Sequence, residues 1–176
     1  MSKFNSTLKK LLERKEINNV ELFQLALGGD GEWVEMGIPK VNNMKKFAYA
    51  SVMNVNTHLE YIESEKIKNE SGDELFKDLH GLDFIKCDVE GLEVPVFASM
   101  MKVLEKHRPV LLCELADDNE RRKLFGMIAP LGYHTYTLEN KKLHLLDVYS
   151  NKKAISHNHY FIPQQQEERL KRLLVQ

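Results

Sequence analysis

Short apolar runs and stretches of helical spacing follow one another along the second half of the chain. Asp83–Val89 and Pro109–Leu115 are nearly continuous apolar runs, each with an acidic residue near its end. Between them, Val94–Lys106 has apolar residues at helical spacing, and Pro95 suits the first turn of such a helix. Strands buried on both faces have such apolar runs. The order strand, helix, strand therefore predicts two neighbouring parallel strands joined by a right-handed crossover.

The rest of the pattern predicts more helices and strands. The spacing of Asp117 and Glu120 resembles a capping box, at the start of a helix that Gly132 ends. Strands are predicted at Val20–Leu27 (ahead of a turn at Gly28–Gly31), Trp33–Met36, Phe47–Val55, Tyr133–Leu138, Lys142–Leu146 and His159–Ile162. Helices are predicted at Phe4–Glu16, Asp73–Leu79 and 164–176, the last with Leu170, Leu173 and Leu174 on one side. Ile38–Ile62 is otherwise weakly patterned, and Glu65–His80 is mostly polar. The alternation indicates an α/β fold with a mainly parallel sheet.

Three acidic residues lie where two of the predicted strands end. Asp88 and Glu90 follow the first apolar run, and Glu114 lies near the end of the second. Ligands of open α/β sheets bind outside the carboxyl ends of the strands, so these side chains are candidate catalytic residues. They could orient a substrate hydroxyl or amine, or act as a general base. The structural alternative is that Asp88 caps the loop backbone while Glu90 and Glu93 complement the N-terminus of the next helix.

Composition and charge narrow the class of protein. The chain has 176 residues and a formal net charge of −1, which argues against a nucleic-acid binder. No apolar run reaches the ~20 residues that a membrane span needs, and no signal peptide is recognisable, so we expect a cytoplasmic protein without membrane association. Cys87 and Cys113 are expected to be buried, reduced thiols. The histidines show no ligand spacing, so no histidine or cysteine metal site is predicted.

One segment resembles a known family. Phe84-Ile85-Lys86-Cys87-Asp88-Val89-Glu90-Gly91-Leu92-Glu93, followed by Arg108-Pro109 and the run to Glu114, resembles the FkbM methyltransferases. That family carries an I-K-x-D-x-E-G-x-E segment at the end of the fourth strand of the class I fold. The resemblance implies a Rossmann-like, three-layer methyltransferase domain at 1–163, with 164–176 as a C-terminal amphipathic helix. It implies S-adenosylmethionine as cofactor and methylation, at oxygen or nitrogen, of a small molecule, sugar or glycan. Ala26 and Leu27 match the family position near the adenine ring.

One element of the family is missing from this sequence. The family's first strand carries a D-x-G-A-N-x-G-like loop for the cofactor, and nothing similar precedes Ala26. We therefore expect a fold truncated at the N-terminus, without its first two strands, and an exposed sheet edge at Asp83–Val89. Such an edge predicts a homodimer, pairing with a separate N-terminal fragment, or poor stability of the chain alone.

Two alternative functions remain open from the sequence. The chain could be a non-catalytic remnant of the fold that serves as a binding or assembly module. It could also be a different α/β enzyme that uses the carboxylates with Mg²⁺ or Ca²⁺, because carboxylate oxygens suit hard cations.

Overall fold

The protein folds into two compact units, Met1–Glu70 and Ser71–Gln176, called the first and second unit below. The computed structural model describes residues 2–42, 44–45, 49–53, 60–115, 117–149 and 156–175. The presence of two sheets and six α-helices among these residues confirms a mixed α/β protein. The proposed domain limits 1–163 and 164–176 stay a prediction. None of the described helices has the length and apolar character needed to cross a bilayer.

Among its described residues, the first unit contains one α-helix and a five-stranded sheet. Its elements are α1 (Ser2–Arg14), β1 (Ala26–Leu27), β2 (Trp33–Val41), β3 (Met44–Lys45), β4 (Ser51–Val52) and β5 (Tyr61–Glu70). The strand order is β1-β5-β2-β3, and β4 also pairs with β2. β1 runs parallel to β5, and the other pairs are antiparallel.

Several strands in this unit differ from the predictions, and β2 extends to Val41, five residues beyond the predicted Met36. Of the predicted strand Val20–Leu27 only the last two residues form β1, and Val20 and Phe23 remain 48% exposed. The polar segment after Ile62 instead belongs to the ten-residue strand β5. β5 is specified by its long pairing with β2 and by burial of Ile67 on one face, while its charged residues Glu63, Lys66 and Lys68 are exposed. The predicted strand Phe47–Val55 is described only in part, and there Ser51–Val52 forms β4.

In the described part of the second unit, five α-helices and a short 3₁₀ helix (Ala129–Leu131) accompany a second five-stranded sheet. The α-helices and strands are α2 (Gly72–Leu75), β6 (Phe84–Cys87), α3 (Glu93–Ala98), α4 (Met101–His107), β7 (Val110–Glu114), α5 (Asp118–Ile128), β8 (Tyr133–Glu139), β9 (Lys142–Leu145), β10 (Asn158–Pro163) and α6 (Gln164–Leu170). The strand order is β6-β7-β10-β8-β9. β6 and β7 are parallel, which confirms the predicted neighbours. The other three pairings are antiparallel, so the prediction of a mainly parallel sheet is not confirmed.

The helix predicted at Val94–Lys106 is divided into α3 and α4, and Asp73 is the reason. The backbone N–H of Asp73 donates to the carbonyl of Ser99 at 2.8 Å, and its side-chain Oδ1 accepts from the N–H of Val103 at 3.0 Å. In a continuous helix that N–H and that carbonyl would bond to each other. Asp73 therefore provides hydrogen-bond partners for both of these groups where the helix ends and restarts.

The core of the second unit lies between its sheet and the helices that pack on it. Several of its apolar side chains are fully buried, among them Phe97, Leu104, Leu111, Leu124, Ile128, Phe161 and Ile162. The predicted N-cap of α5 is confirmed, because the side chain of Asp117 accepts from the N–H of Asn119. Glu120 bonds Lys123 instead of the cap, so the reciprocal half of a capping box is absent.

The C-terminal helix is shorter than predicted. α6 ends at Leu170, and Leu174 pairs with Leu143 of β9 in an isolated bridge. Leu170 and Leu174 pack against a buried cluster of Tyr136, Leu143 and Ile162, whereas Leu173 is 47% exposed. The tail therefore packs on the sheet partly as helix and partly as extended chain.

Candidate functional site

The carboxyl ends of β6 and β7 lie side by side. Cys87 and Cys113 are partners in the parallel register, so the residues that follow them, Asp88 and Glu114, emerge at the same edge. Lys86 is paired with Leu112, two positions before Glu114, so Lys86 and Glu114 share a face of the sheet. Asn158 at the start of β10 lies directly opposite Glu114 and shares that face. The sequence did not single out Asn158, because only the antiparallel register of β10 places its amide beside a carboxylate.

Asp88 is held by an ion pair with Lys86. The Lys86 ammonium donates to Asp88 Oδ2, and this bond is the main cause that raises the pKa of Lys86, with smaller contributions from Asp88 and Glu114 charges. Both side chains are more than one third exposed, and exposed pairs add little stability. The main effect of this ion pair is therefore to orient the Asp88 carboxylate. Lys86, a charged residue within an apolar run, is thus ion-paired.

Glu90 has a backbone conformation that L-residues rarely adopt. Its φ is +56°, and the following Gly91 has φ +98°. A left-handed conformation at a residue with a side chain costs on the order of 1–2 kcal/mol and persists only where neighbouring groups enforce it. Contacts made by neighbouring groups of the site must therefore hold Glu90 in this conformation.

The three predicted catalytic carboxylates interact electrostatically. The pKa of Glu90 is raised, first by burial and then by the negative charges of Asp88, Glu114 and Glu93. A charge influences a neighbour in this way only over a short range, because solvent ions screen exposed charges beyond about 10 Å. The structure thus brings Asp88, Glu90 and Glu114 to one edge of the second unit. Whether they catalyse a reaction stays a prediction.

Glu93 does more than complement the N-terminus of α3, because it also bonds the loop before that helix. It is only 3% exposed, and its Oε1 accepts from the N–H of Val89 at 3.1 Å and from that of Gly91 at 3.4 Å. Among the described contacts, the loop backbone is thus bonded by Glu93 rather than by Asp88, which pairs with Lys86. The sequence signal for this arrangement is the short E-G-x-E spacing, which puts a carboxylate at the start of the helix within reach of the loop.

The neighbouring thiols are poor nucleophiles. Cys87 and Cys113 are both buried and free, which confirms the prediction. Burial raises the pKa of the Cys87 thiol to about 12 and raises that of Cys113 further. Both are therefore protonated at neutral pH, and the reactive thiolate is scarcely populated. Within the parts of the chain that the structure describes, no group of three or more His, Cys, Asp or Glu residues has an arrangement that could hold a metal ion.

Ala26 and Leu27, the predicted cofactor contacts, form β1 in the first unit. They pair with Asn69 and Glu70 of β5 and are half-buried. The N–H of Gly28 extends this pairing by donating to the carbonyl of Glu70 at 3.1 Å, and the chain then bends at the expected place, where Gly28 and Gly31 have φ of +121° and +103°. The contact with an adenine ring stays a prediction.

A family model described as the methyltransferase FkbM domain matches residues 4–146. The chain belongs to the FkbM methyltransferase family. The match includes all five predicted site residues, Ala26, Leu27, Asp88, Glu90 and Glu114, and membership in this methyltransferase family is consistent with the class I fold. β10 and α6 follow the matched residues. The chain has no significant match among curated proteins or among solved structures.

Proposed function

We propose that the chain is an S-adenosylmethionine-dependent methyltransferase that methylates a hydroxyl, or an amine, of a small molecule, sugar or glycan. The observation that carries the proposal is the convergence of Asp88, Glu90 and Glu114 at the carboxyl ends of two parallel strands. In open α/β sheets this edge is where substrates bind. Membership in the FkbM methyltransferase family supports the reaction type.

The charge of this edge suits the proposed cofactor and acceptor. When bound, S-adenosylmethionine supplies an electrophilic methyl group on a positively charged sulfur. The edge carries the carboxylates of Asp88, Glu90 and Glu114, and the ammonium of Lys86 is the positive charge that interacts with them. An excess of negative charge favours a cation nearby. In the first unit, we assign Ala26 and Leu27 to the contact with the adenine ring.

The side chains of the site divide the work on the acceptor. Asp88, oriented by Lys86, accepts a hydrogen bond from the acceptor hydroxyl and aligns its oxygen. Glu90 is the stronger candidate for general base, because its raised pKa makes it a better proton acceptor than an ordinary carboxylate. Glu114 adds to the raised pKa of Glu90, after burial and Asp88, and lies opposite Asn158, whose amide can bond a second polar group of the acceptor.

Calorimetric titration with S-adenosylmethionine tests the cofactor. A catalytic protein is expected to bind it with a dissociation constant in the micromolar range. The Asp88→Asn variant should bind less well, because it loses a negative charge near the expected sulfonium. Binding too weak to detect with millimolar cofactor would contradict the proposal for this polypeptide and would favour the alternative of a binding or assembly module.

Methyl transfer from labelled S-adenosylmethionine to a panel of small alcohols, sugars and oligosaccharides tests the reaction. Loss of a general base reduces kcat by about 10²–10⁴-fold, so we expect such a loss in Glu90→Gln. Glu105→Gln is the matched control, since Glu105 is an exposed residue of α4. Equal loss in the control, or none in Glu90→Gln, would argue against the assigned base.

The proposal includes a cytoplasmic location and a partner at the edge of the second sheet. β6 is the end strand of that sheet, and its Phe84 is 49% exposed. Unpaired strand edges with apolar side chains favour pairing with another strand. A homodimer, or a complex with an N-terminal fragment, is the expected form. Light scattering should detect it, and a monomer at high concentration that binds no such fragment would contradict it.

A further inference from the structure

We propose that Glu93 is a positioning residue, which fixes the loop from Asp88 to Gly91 and thereby directs the side chain of Glu90 into the site. The part of this inference that concerns catalysis rests on the proposed function. The part that concerns the loop does not, because it depends only on hydrogen bonds within the second unit.

The first observation is the pair of bonds that Glu93 makes. Its Oε1 accepts from Val89 at 3.1 Å and from Gly91 at 3.4 Å, the two residues that flank Glu90. The Glu93 side chain is almost fully buried. Bonds from N–H groups to a carboxylate are stronger than bonds between neutral groups. A buried carboxylate would also be costly without such partners. The loop and Glu93 therefore stabilise each other.

The second observation is the conformation of the residue between the two bonds. Glu90 and Gly91 have φ of +56° and +98° in succession. Gly91 adopts such a conformation readily, whereas Glu90 does not. Two N–H groups can converge on one oxygen across Glu90 only if the chain turns tightly there. The Glu93 carboxylate thus offsets the cost of the unusual conformation at Glu90.

The third observation is electrostatic. The charged groups that influence Glu90 are Asp88 in the same loop, Glu114 at the end of β7 and Glu93 at the start of α3, while Lys86 of β6 is paired with Asp88. Burial is the largest cause of the raised pKa of Glu90, and Glu93 adds to it. Glu93 therefore has two separable actions, one as a hydrogen-bond acceptor and one as a negative charge.

Two variants separate these actions. Glu93→Gln keeps an acceptor oxygen and removes the charge, whereas Glu93→Ala removes both. In Glu93→Gln we expect a lower Glu90 pKa in a carboxyl NMR titration and unchanged hydrogen exchange of the Val89 and Gly91 amides. In Glu93→Ala we expect exchange of those two amides to accelerate by at least about tenfold, as expected when a loop loses its restraining bonds. Glu105→Gln should match the wild-type protein in both measurements.

Methyl transfer provides the functional readout. Glu93→Gln should keep its maximal kcat within about threefold. The acid limb of its pH profile should move to lower pH, because a base with a lower pKa loses its proton at a lower pH. Glu93→Ala should lose at least about tenfold in kcat, since a misplaced catalytic group costs rate even when its chemistry is intact.

Two results would overturn the inference. One is unchanged exchange at Val89 and Gly91 in a folded Glu93→Ala protein. The other, which decides the matter if that variant does not fold, is exchange of the Val89 and Gly91 amides in the wild-type protein as fast as that of unprotected amides. Absence of methyl transfer in every protein, the wild type included, would count against the proposed function alone, because the exchange and titration measurements do not need turnover.

Discussion

Protonation of His159 is expected to destabilise the second unit at acidic pH. His159 lies on β10 between Cys113 of β7 and Thr137 of β8, and it is 1% exposed. Its Nδ1 has no hydrogen-bond partner among the described residues, and the same is true of Nε of the buried Arg121. The pKa of His159 is lowered to about 4, first by burial and then by the positive charge of Arg121. Asp118 raises this pKa and His157 lowers it, both by smaller amounts.

The size of the effect follows from the two pKa values. In the unfolded chain His159 takes up its proton near its ordinary pKa of 6.5, whereas in the folded protein it does so only near 4. The unfolded state therefore binds more protons between these values, and stability falls as the pH falls. The contribution is fully present above 6.5 and is lost progressively towards 4. Between about pH 7.5 and about pH 5 we expect a loss of about 1–2 kcal/mol.

The measurement uses His159→Gln, which keeps a polar side chain and cannot titrate. Free energies of opening are measured at both pH values from the slowly exchanging amides of β7, β8 and β10, which report on the second unit. The wild-type protein should lose about 1–2 kcal/mol more than the variant does. His80→Gln, which removes an exposed histidine of the same unit, should retain the wild-type pH dependence. Identical pH dependence in the wild type and His159→Gln would refute the reasoning.

Three further predictions concern the second unit. Tyr133→Phe removes the buried, 2.8 Å hydrogen bond from the tyrosine hydroxyl to the carbonyl of Pro109. Urea unfolding should show a free energy of unfolding lower by about 1–3 kcal/mol, and a decrease below about 0.5 kcal/mol would contradict the prediction. Leu124→Ala opens a cavity at a fully buried position of α5, so the same assay should show a loss of about 2–5 kcal/mol, whereas a near-neutral result would mean that the site collapses. Glu114→Gln removes a negative charge that raises the pKa of Glu90, so an NMR titration should find the Glu90 pKa lowered; an unchanged value would show that the two carboxylates do not interact.

Local sequence predicted the strands of the second unit well for a physical reason. β6 and β7 fall within the predicted runs Asp83–Val89 and Pro109–Leu115, because these apolar runs supply the buried residues Cys87, Leu111 and Cys113. The expected burial of β6 on both faces is not found, since Phe84 and Lys86 are exposed on one of them. The sequence also placed Asp88 and Glu114 at strand ends. Tertiary structure was needed to show that these ends are adjacent, since adjacency depends on the register of Cys87 with Cys113.

Other features depend on residues that are distant in the sequence. The sequence of β5 is mostly polar, because the strand is stabilised mainly by backbone pairing with β2. Such pairing does not require a recognisable pattern of apolar side chains. The break between α3 and α4 depends on Asp73, which lies 30 positions before Val103. Nothing in the helical spacing of Val94–Lys106 indicates that a remote aspartate replaces one of its backbone bonds.

The sequence by itself determined the family, the parallel pair β6 and β7, and the identity of the carboxylates at their ends, because these follow from local composition and from a short motif. Only the tertiary structure decided how those carboxylates are held. The bonds from Val89 and Gly91 to Glu93, the left-handed backbone of Glu90 and the pairing of Lys86 with Asp88 are properties of a folded loop. Each depends on distances of a few ångströms between groups, and the order of residues along a chain does not specify such distances.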